Sequence, residues 1–430
     1  MPYIILLLYT FVVYVRPFDI NPVFIQYRPM LVLGILCLLA TLIYLPLSHF
    51  SWKARQAPLV MIFTAILILS RIFALHWVGG ALAAMDEFAI VAIYFFAVIV
   101  ATNSLPKLRW LAFTVAAASL IVALQSMYAY YFGSGDFREL FVLEQRLDAI
   151  SDTEWNILER VRALGFFADP NDLAQGLLTM VPLIFLAWKP RSVVWNSFFV
   201  LAPVSVLMWC IYLTHSRGAA VALVIVVVFW LTRRLGRLWA GLMTGGMVFG
   251  LVAINIAGSR LTKDESVVNR FEAWSMGLEL LKSHPLFGVG YRLFTDYNPI
   301  TAHNSYVLCF SELGFIGFFV WMAIIYLTVK ELNQLINLDP ADPRNRELRR
   351  YAESIRLSMI GFLSAAWFLS RTYALPLFFL VGLSVVLAEI ARREDRMPPA
   401  IGLPALGART LGLCMATIAV VYLSVKLAVR

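Results

Sequence analysis

Thr301–Phe319 reads TAHNSYVLCFSELGFIGFF. A histidine, an amide and two hydroxyls stand at the mouth of a long apolar run. The run is long enough to cross a bilayer as a helix. Asn304 or Ser305 is placed to cap that helix by accepting from its first free N–H groups. The positive end of the helix dipole then lies near His303 and favours a neutral imidazole. A neutral imidazole near pH 7 can take a proton from a hydroxyl. On position alone, His303 also reads as an interfacial polar residue.

Outward from this stretch, the pattern repeats. Of the 430 residues, 61% are hydrophobic and 14% charged, against roughly 25% charged in soluble domains. Apolar runs suited to spanning recur near 2–15, 30–46, 57–76, 87–103, 108–131, 171–188, 194–214, 217–232, 238–257, 304–328, 356–371, 373–391 and 408–427. They predict an all-α, polytopic membrane protein of about 12–13 transmembrane helices, forming a single integral membrane domain over 1–430. Met1–Val15 lacks a basic start and a small-residue cleavage site, so it reads as a retained first helix. Cys37, Cys210, Cys309 and Cys414 all fall inside apolar runs, without disulfide or metal spacing. The net charge of +9 reflects basic cytoplasmic loops and does not suggest nucleic acid.

With the N-terminus inside, the cytoplasmic loops hold Lys53/Arg55, Lys107/Arg109, Lys189/Arg191, Arg233/Arg234/Arg237, the 329–355 loop and Arg392/Arg393/Arg396. Each is basic, which is the positive-inside pattern. Two long loops, 133–170 and 258–302, then face the periplasm. They carry Arg138, Arg146, Arg160, Arg162, Arg260, Lys263, Arg270, Lys282 and Arg292. Arginine here runs against the orientation rule, and an anionic substrate is one reason for it. Pairing with Glu139, Glu144, Glu159, Asp264, Glu265 and Glu272 is the other. The mixed stretch Asp136–Arg162 suits a surface-lying amphipathic segment.

Smaller motifs punctuate these loops. In RALGFFADPNDLA (162–174), Asp169 is a natural N-cap and Pro170 a natural first helical residue. Capping accounts for Asn171 only in part. In THSRGAA, Arg217 precedes a purely apolar helix, so it either snorkels or binds something. NRFEAWSMGLELLKSHPLFGVGYRLF (269–294) reads as an amphipathic helix stopped at His284-Pro285, then a Gly-Val-Gly turn presenting Arg292. A lone GxG is weak as a phosphate motif.

Taken in order, GFFADPNDLA, the SRG turn, NRFEAW…HPLFGVG and AHNSYVLCFSELGFIG resemble the bacterial O-antigen ligase and polymerase family, over roughly Arg162–Trp321. The resemblance implies a GT-C-like membrane glycosyltransferase of the bacterial inner membrane with a periplasmic site. It implies a glycan donor on undecaprenyl diphosphate, an acceptor hydroxyl on lipid A-core or another glycan, and no metal or other cofactor. The family's histidine falls on His303. Its diphosphate-binding arginines fall on Arg217 and Arg270, with Arg292 a neighbouring candidate. Asn171, Asn304 and Arg162 are supporting candidates.

The chemistry agrees with that assignment. Arginine stays charged and binds phosphate oxygens bidentately, so it favours a departing diphosphate. His303 serves as general base, and a single displacement inverts the anomeric carbon. Asp19 and the pair Asp86-Glu87 are alternative outer acids. A polysaccharide polymerase of the same family remains an alternative, as does a transporter or flippase of lipid-linked glycans. A transporter calls for internal repeats or matched broken helices, and the sequence displays neither.

Overall fold

The apolar runs form helices because a spanning segment must satisfy its N–H and C=O groups internally. The computed structural model describes residues 2–48, 54–149, 155–236 and 265–428. The long helices are α1 (Pro2–Val15), α2 (Pro29–Tyr44), α3 (Gln56–Leu75), α4 (Gly79–Ala101) and α5 (Leu105–Phe132). After a short α6 (Gly135–Phe141) come strands β1 (Val142–Ala149) and β2 (Trp155–Val161). Then follow α7 (Pro170–Ile184), α8 (Ala202–Leu213), α9 (Arg217–Leu235), α10 (Glu265–Ser283), α11 (Ser305–Ile336), α12 (Pro343–Ala365), α13 (Leu375–Arg393) and α14 (Leu403–Ala428).

The chain is an all-α polytopic membrane protein. Among the described residues, 9 helices are long and apolar enough to cross a membrane. Four further runs were expected from the sequence. Those near 171–188, 217–232 and 356–371 are helical but shorter or more polar, and 238–257 lies outside the described residues, as do Arg260 and Lys263. The central helices are α11 and α13, whose most apolar windows are 83% and 89% buried; those of α2 and α14 are each 17% buried. These outer helices turn side chains such as Leu42, Ile43, Leu403 and Leu427 outward, a surface suited to lipid.

Hydrogen bonds sort the loops into two ends. At one, the Gln56 amide donates to Glu331 at 2.8 Å, and Glu331 pairs with Arg392. Arg350 donates there to the carbonyls of Phe185, Leu186 and Trp188 at 3.1, 2.8 and 2.7 Å. It thereby satisfies carbonyls that the end of a helical segment leaves open. The opposite end carries Arg16, Glu87, His303 and Arg371.

Three expectations need correction. The stretch Asp136–Arg162 is a short helix and an antiparallel pair, β1 with β2, instead of a lying amphipathic segment. Glu144 stands opposite Glu159 in that pair, an unfavourable placement. Arg138 offsets it by binding both, at 3.2 and 2.7 Å. The helix expected near 87–103 begins earlier, at Gly79, so that Asp86 and Glu87 both lie inside α4. The 329–355 stretch is mostly helix: α11 runs to Ile336, and α12 starts after the N-cap Asp342, whose side chain accepts from Arg344 N at 2.7 Å.

The helix that begins beside His303 is broken. Gly314 sits at φ 63°, ψ −168° inside α11, backbone open essentially only to glycine. Residues 285–290 fill the break. Val289 N and Gly290 N donate to the carbonyls of Ser311 and Glu312, both at 2.9 Å, while Phe315 N and Ile316 N donate to those of Pro285 and Leu286 at 2.7 and 3.3 Å. The HPLFGVG and ELGFIG motifs are therefore two halves of one lock. The Gly-Val-Gly turn touches the helix break, which explains its glycines without a phosphate.

Candidate functional site

His303 lies two residues before α11, with φ 46°. Asn304 is the cap: its Oδ1 accepts from Tyr306 N at 2.9 Å and Val307 N at 3.2 Å. Ser305 takes a different role. Its hydroxyl accepts from Arg371 N at 2.7 Å, and its carbonyl accepts from the Thr372 hydroxyl at 2.6 Å. The turn after α12 is thus bound to the start of α11, and the backbone around His303 is held from both sides.

On the other flank, Trp274 Nε1 donates to the Ala302 carbonyl at 2.9 Å. Arg270 lies four residues before Trp274 on α10, hence on the same helix face. The tryptophan therefore fixes the arginine's face against the segment that carries His303. Burial and the Arg270 charge hold the imidazole below its ordinary value, with Asp169 acting in the opposite sense. The balance favours the neutral imidazole. Burial, not the helix end, is the main cause.

A second tie completes the group. Arg160 on β2 donates through Nε to the Thr214 carbonyl at 2.8 Å and through Nη2 to Asn171 Oδ1 at 3.0 Å. The first bond joins β2 to the 214–217 turn, where the Ser216 side chain accepts from Ala219 N at 3.3 Å and opens α9 at Arg217. The second joins it to the start of α7, where Asp169 caps by accepting from Asn171 N at 2.7 Å. Burial lowers the Arg160 guanidinium's proton affinity, as do the charges of Arg270 and Arg217, while Asp169 supports the charged form. Arg217, Arg270 and Asp169 therefore each lie within electrostatic reach of Arg160, and Arg270 and Asp169 also reach His303. His215, in the same turn, is lowered by burial and by Arg160.

Of the residues anticipated from the sequence, His303, Arg217, Arg270 and Asn171 belong to this group, with Asn304 as the cap behind it. Arg292 does not. It pairs with Glu87 at 3.3 Å and lines a separate cavity of about 630 Å³ with Arg16, Glu312 and Arg371. Arg162 braces the hairpin: its backbone N donates to the Phe141 carbonyl at 2.8 Å and its Nη2 to that of Glu139 at 2.7 Å. Asp19 is tied to Arg16 at 3.2 Å. Arg371 went unselected in the sequence. It binds Asp172 at 2.9 Å and the Phe166 carbonyl at 2.6 Å. Its available signal was an arginine in the short turn between two apolar runs, on the end away from the basic loops. Among the described residues, no three His, Cys, Asp or Glu side chains are grouped so as to hold a metal ion.

Residues 201–322 match a family model described as O-Antigen ligase. The matched span includes Arg217, Arg270, Arg292 and His303. No curated protein matches the chain.

Proposed function

We propose that this chain, whose residues 201–322 match a family model described as O-Antigen ligase, acts as a member of that family and transfers a glycan from undecaprenyl diphosphate to an acceptor hydroxyl. The observation that carries the reading is that the Trp274 bond to the Ala302 carbonyl sets the Arg270 face of its helix beside His303, with Arg270 within electrostatic reach of His303 and both Arg270 and Arg217 within reach of Arg160. Arg217, Arg270 and Arg160 hold the diphosphate. Their planar guanidinium forks suit phosphate oxygens better than ammonium groups do. His303 takes the proton of the acceptor hydroxyl. The acceptor oxygen bonds to the anomeric carbon as that carbon's bond to the diphosphate oxygen breaks. The electron pair leaves on the diphosphate, where the arginines stabilise it. One displacement inverts the anomeric centre.

The site end of the bundle faces the periplasm in this account, and the basic end faces the cytoplasm. Lipid A-core is the acceptor, with another glycan as the alternative. The test is transfer and donor binding by Arg160→Lys, Arg217→Lys and Arg270→Lys proteins in nanodiscs. Lysine retains the charge and loses the fork, so each variant binds donor more weakly than the wild type. Unchanged donor affinity in all of them removes the diphosphate clamp from the mechanism.

A further inference from the structure

The cavity of about 630 Å³ carries paired charges on its wall. Its wall includes Arg16, Glu87, Arg292, Glu312 and Arg371. The guanidiniums of this wall already have carboxylate partners. Arg16 binds Asp19 at 3.2 Å and Arg371 binds Asp172 at 2.9 Å. Glu87 stands between Arg71 and Arg292 at 3.2 and 3.3 Å. Glu312 accepts from the Tyr373 hydroxyl at 2.7 Å and from Phe294 N at 3.3 Å. A bare anion gains little from cations that are already neutralised in this way. Paired carboxylates and guanidiniums instead offer acceptors and donors side by side, which suits a ligand whose groups are each both donor and acceptor.

The rest of the lining agrees. Thr295, Thr301 and Ser370 bring hydroxyls, and the half-buried Phe166 brings an aromatic ring. Tyr291 and Tyr373, packed edge to face at 4.7 Å, are buried and back this wall. A ring beside hydroxyl-binding groups matches a sugar, which has an apolar C–H face and a polar rim. The volume falls within the range of small-molecule pockets. The cavity is also joined to the base. Thr301 precedes His303 by two residues, and its hydroxyl donates to Ser370 across the wall at 2.8 Å.

We propose that this cavity is a carbohydrate subsite that seats the acceptor sugar next to His303, while the arginine group holds the diphosphate. The inference rests on the transfer reaction proposed above and assigns its substrate halves to two places. Neutral saccharide binds in the cavity through hydroxyls and ring faces, and phosphate does not enter it.

The experiment uses the full chain in nanodiscs. Saturation-transfer NMR with glucose, galactose and N-acetylglucosamine reads the cavity, and phosphorus NMR with inorganic pyrophosphate reads the arginine group. Thr295→Trp fills the cavity from its exposed wall and leaves the charge pairs in place. Thr301→Val, a smaller change, removes one hydroxyl. The expected result is saccharide contact in the wild type, lost in Thr295→Trp and weakened in Thr301→Val, with pyrophosphate binding retained in both. Arg270→Ala shows the reverse pattern. Absence of saccharide contact in the wild type overturns the proposal, as does contact unchanged in Thr295→Trp. Pyrophosphate binding lost in Thr295→Trp overturns it too, by making the cavity an anion site. Saccharide contact does not depend on His303 as base, so these outcomes are separable from failure of the transfer mechanism.

Discussion

Replacing Gly314 by alanine strikes the lock that sets the start of α11 against the 285–290 segment. A Cβ at this position lies 2.3 Å from the Leu286 oxygen, 2.4 Å from its carbonyl carbon and 2.6 Å from Gly288 N. All three are backbone atoms, so no rotamer change relieves the clash. The φ of 63° and ψ of −168° add strain of about 1–3 kcal/mol for a residue with a side chain. Moving the segment away breaks at least two of the four cross bonds, at about 0.5–1.5 kcal/mol each. The sum is about 2–6 kcal/mol, a large part of an ordinary folding free energy of about 5–15 kcal/mol. At about 2–4 °C per kcal/mol, the unfolding temperature in detergent falls by roughly 5 °C or more. Tryptophan-fluorescence melting of purified protein reads it. Gly412→Ala in α14, where a Cβ meets nothing within 4 Å, is the control and melts like the wild type. A Gly314→Ala protein that also melts like the wild type refutes the lock.

The imidazole gives a pH prediction. Burial and Arg270 place the His303 transition below 6.5, so kcat/KM stays high into mildly acid solution and falls as protonation removes the base. Arg270→Gln removes a positive neighbour, raises the transition and moves the acid limb to higher pH. An unmoved limb in the pH profile dissociates His303 from the titration. Orientation is tested by a single cysteine at Ser134 in a cysteine-free background. An impermeant thiol reagent labels it in intact spheroplasts, and labelling only after lysis reverses the topology.

The fold was legible wherever the argument needed only apolar length. Bilayer-scale runs predict helices, and the break from TAHN to SYVLCF fixes where α11 begins. The hairpin is only half legible: LEQRLDA alternates apolar and polar residues except at Gln145, the pattern of a strand, whereas WNILERV keeps that period only over Trp155–Ile157. Its mixture of charged and apolar residues reads instead as a surface-lying amphipathic segment. His303, Arg217 and Arg270 were reached from motif resemblance and charge on an unexpected face. Arg160 was among the outer cations but was not singled out, because its place depends on a contact to Thr214 across 54 residues. Local spacing cannot express such a contact. Arg292 looked like a clamp residue because it follows a glycine turn. That turn serves the helix break, and the arginine pairs with Glu87 across a different cavity. Arg371 ties the start of α7 to the start of α11, and only tertiary structure brings Asp172, Phe166 and Ser305 to it.

The central claim is that His303 is the base of a glycan transfer. The direct measurement is single-turnover transfer by purified His303→Gln protein, loaded with lipid-linked donor and mixed with acceptor. Glutamine retains size and polarity but accepts no proton at neutral pH. Positioned proton transfer contributes on the order of 10²–10⁴-fold, so the account predicts a rate lower by that factor, with donor still bound as in the wild type. Transfer at the wild-type rate contradicts it and leaves His303 a polar residue at the membrane surface.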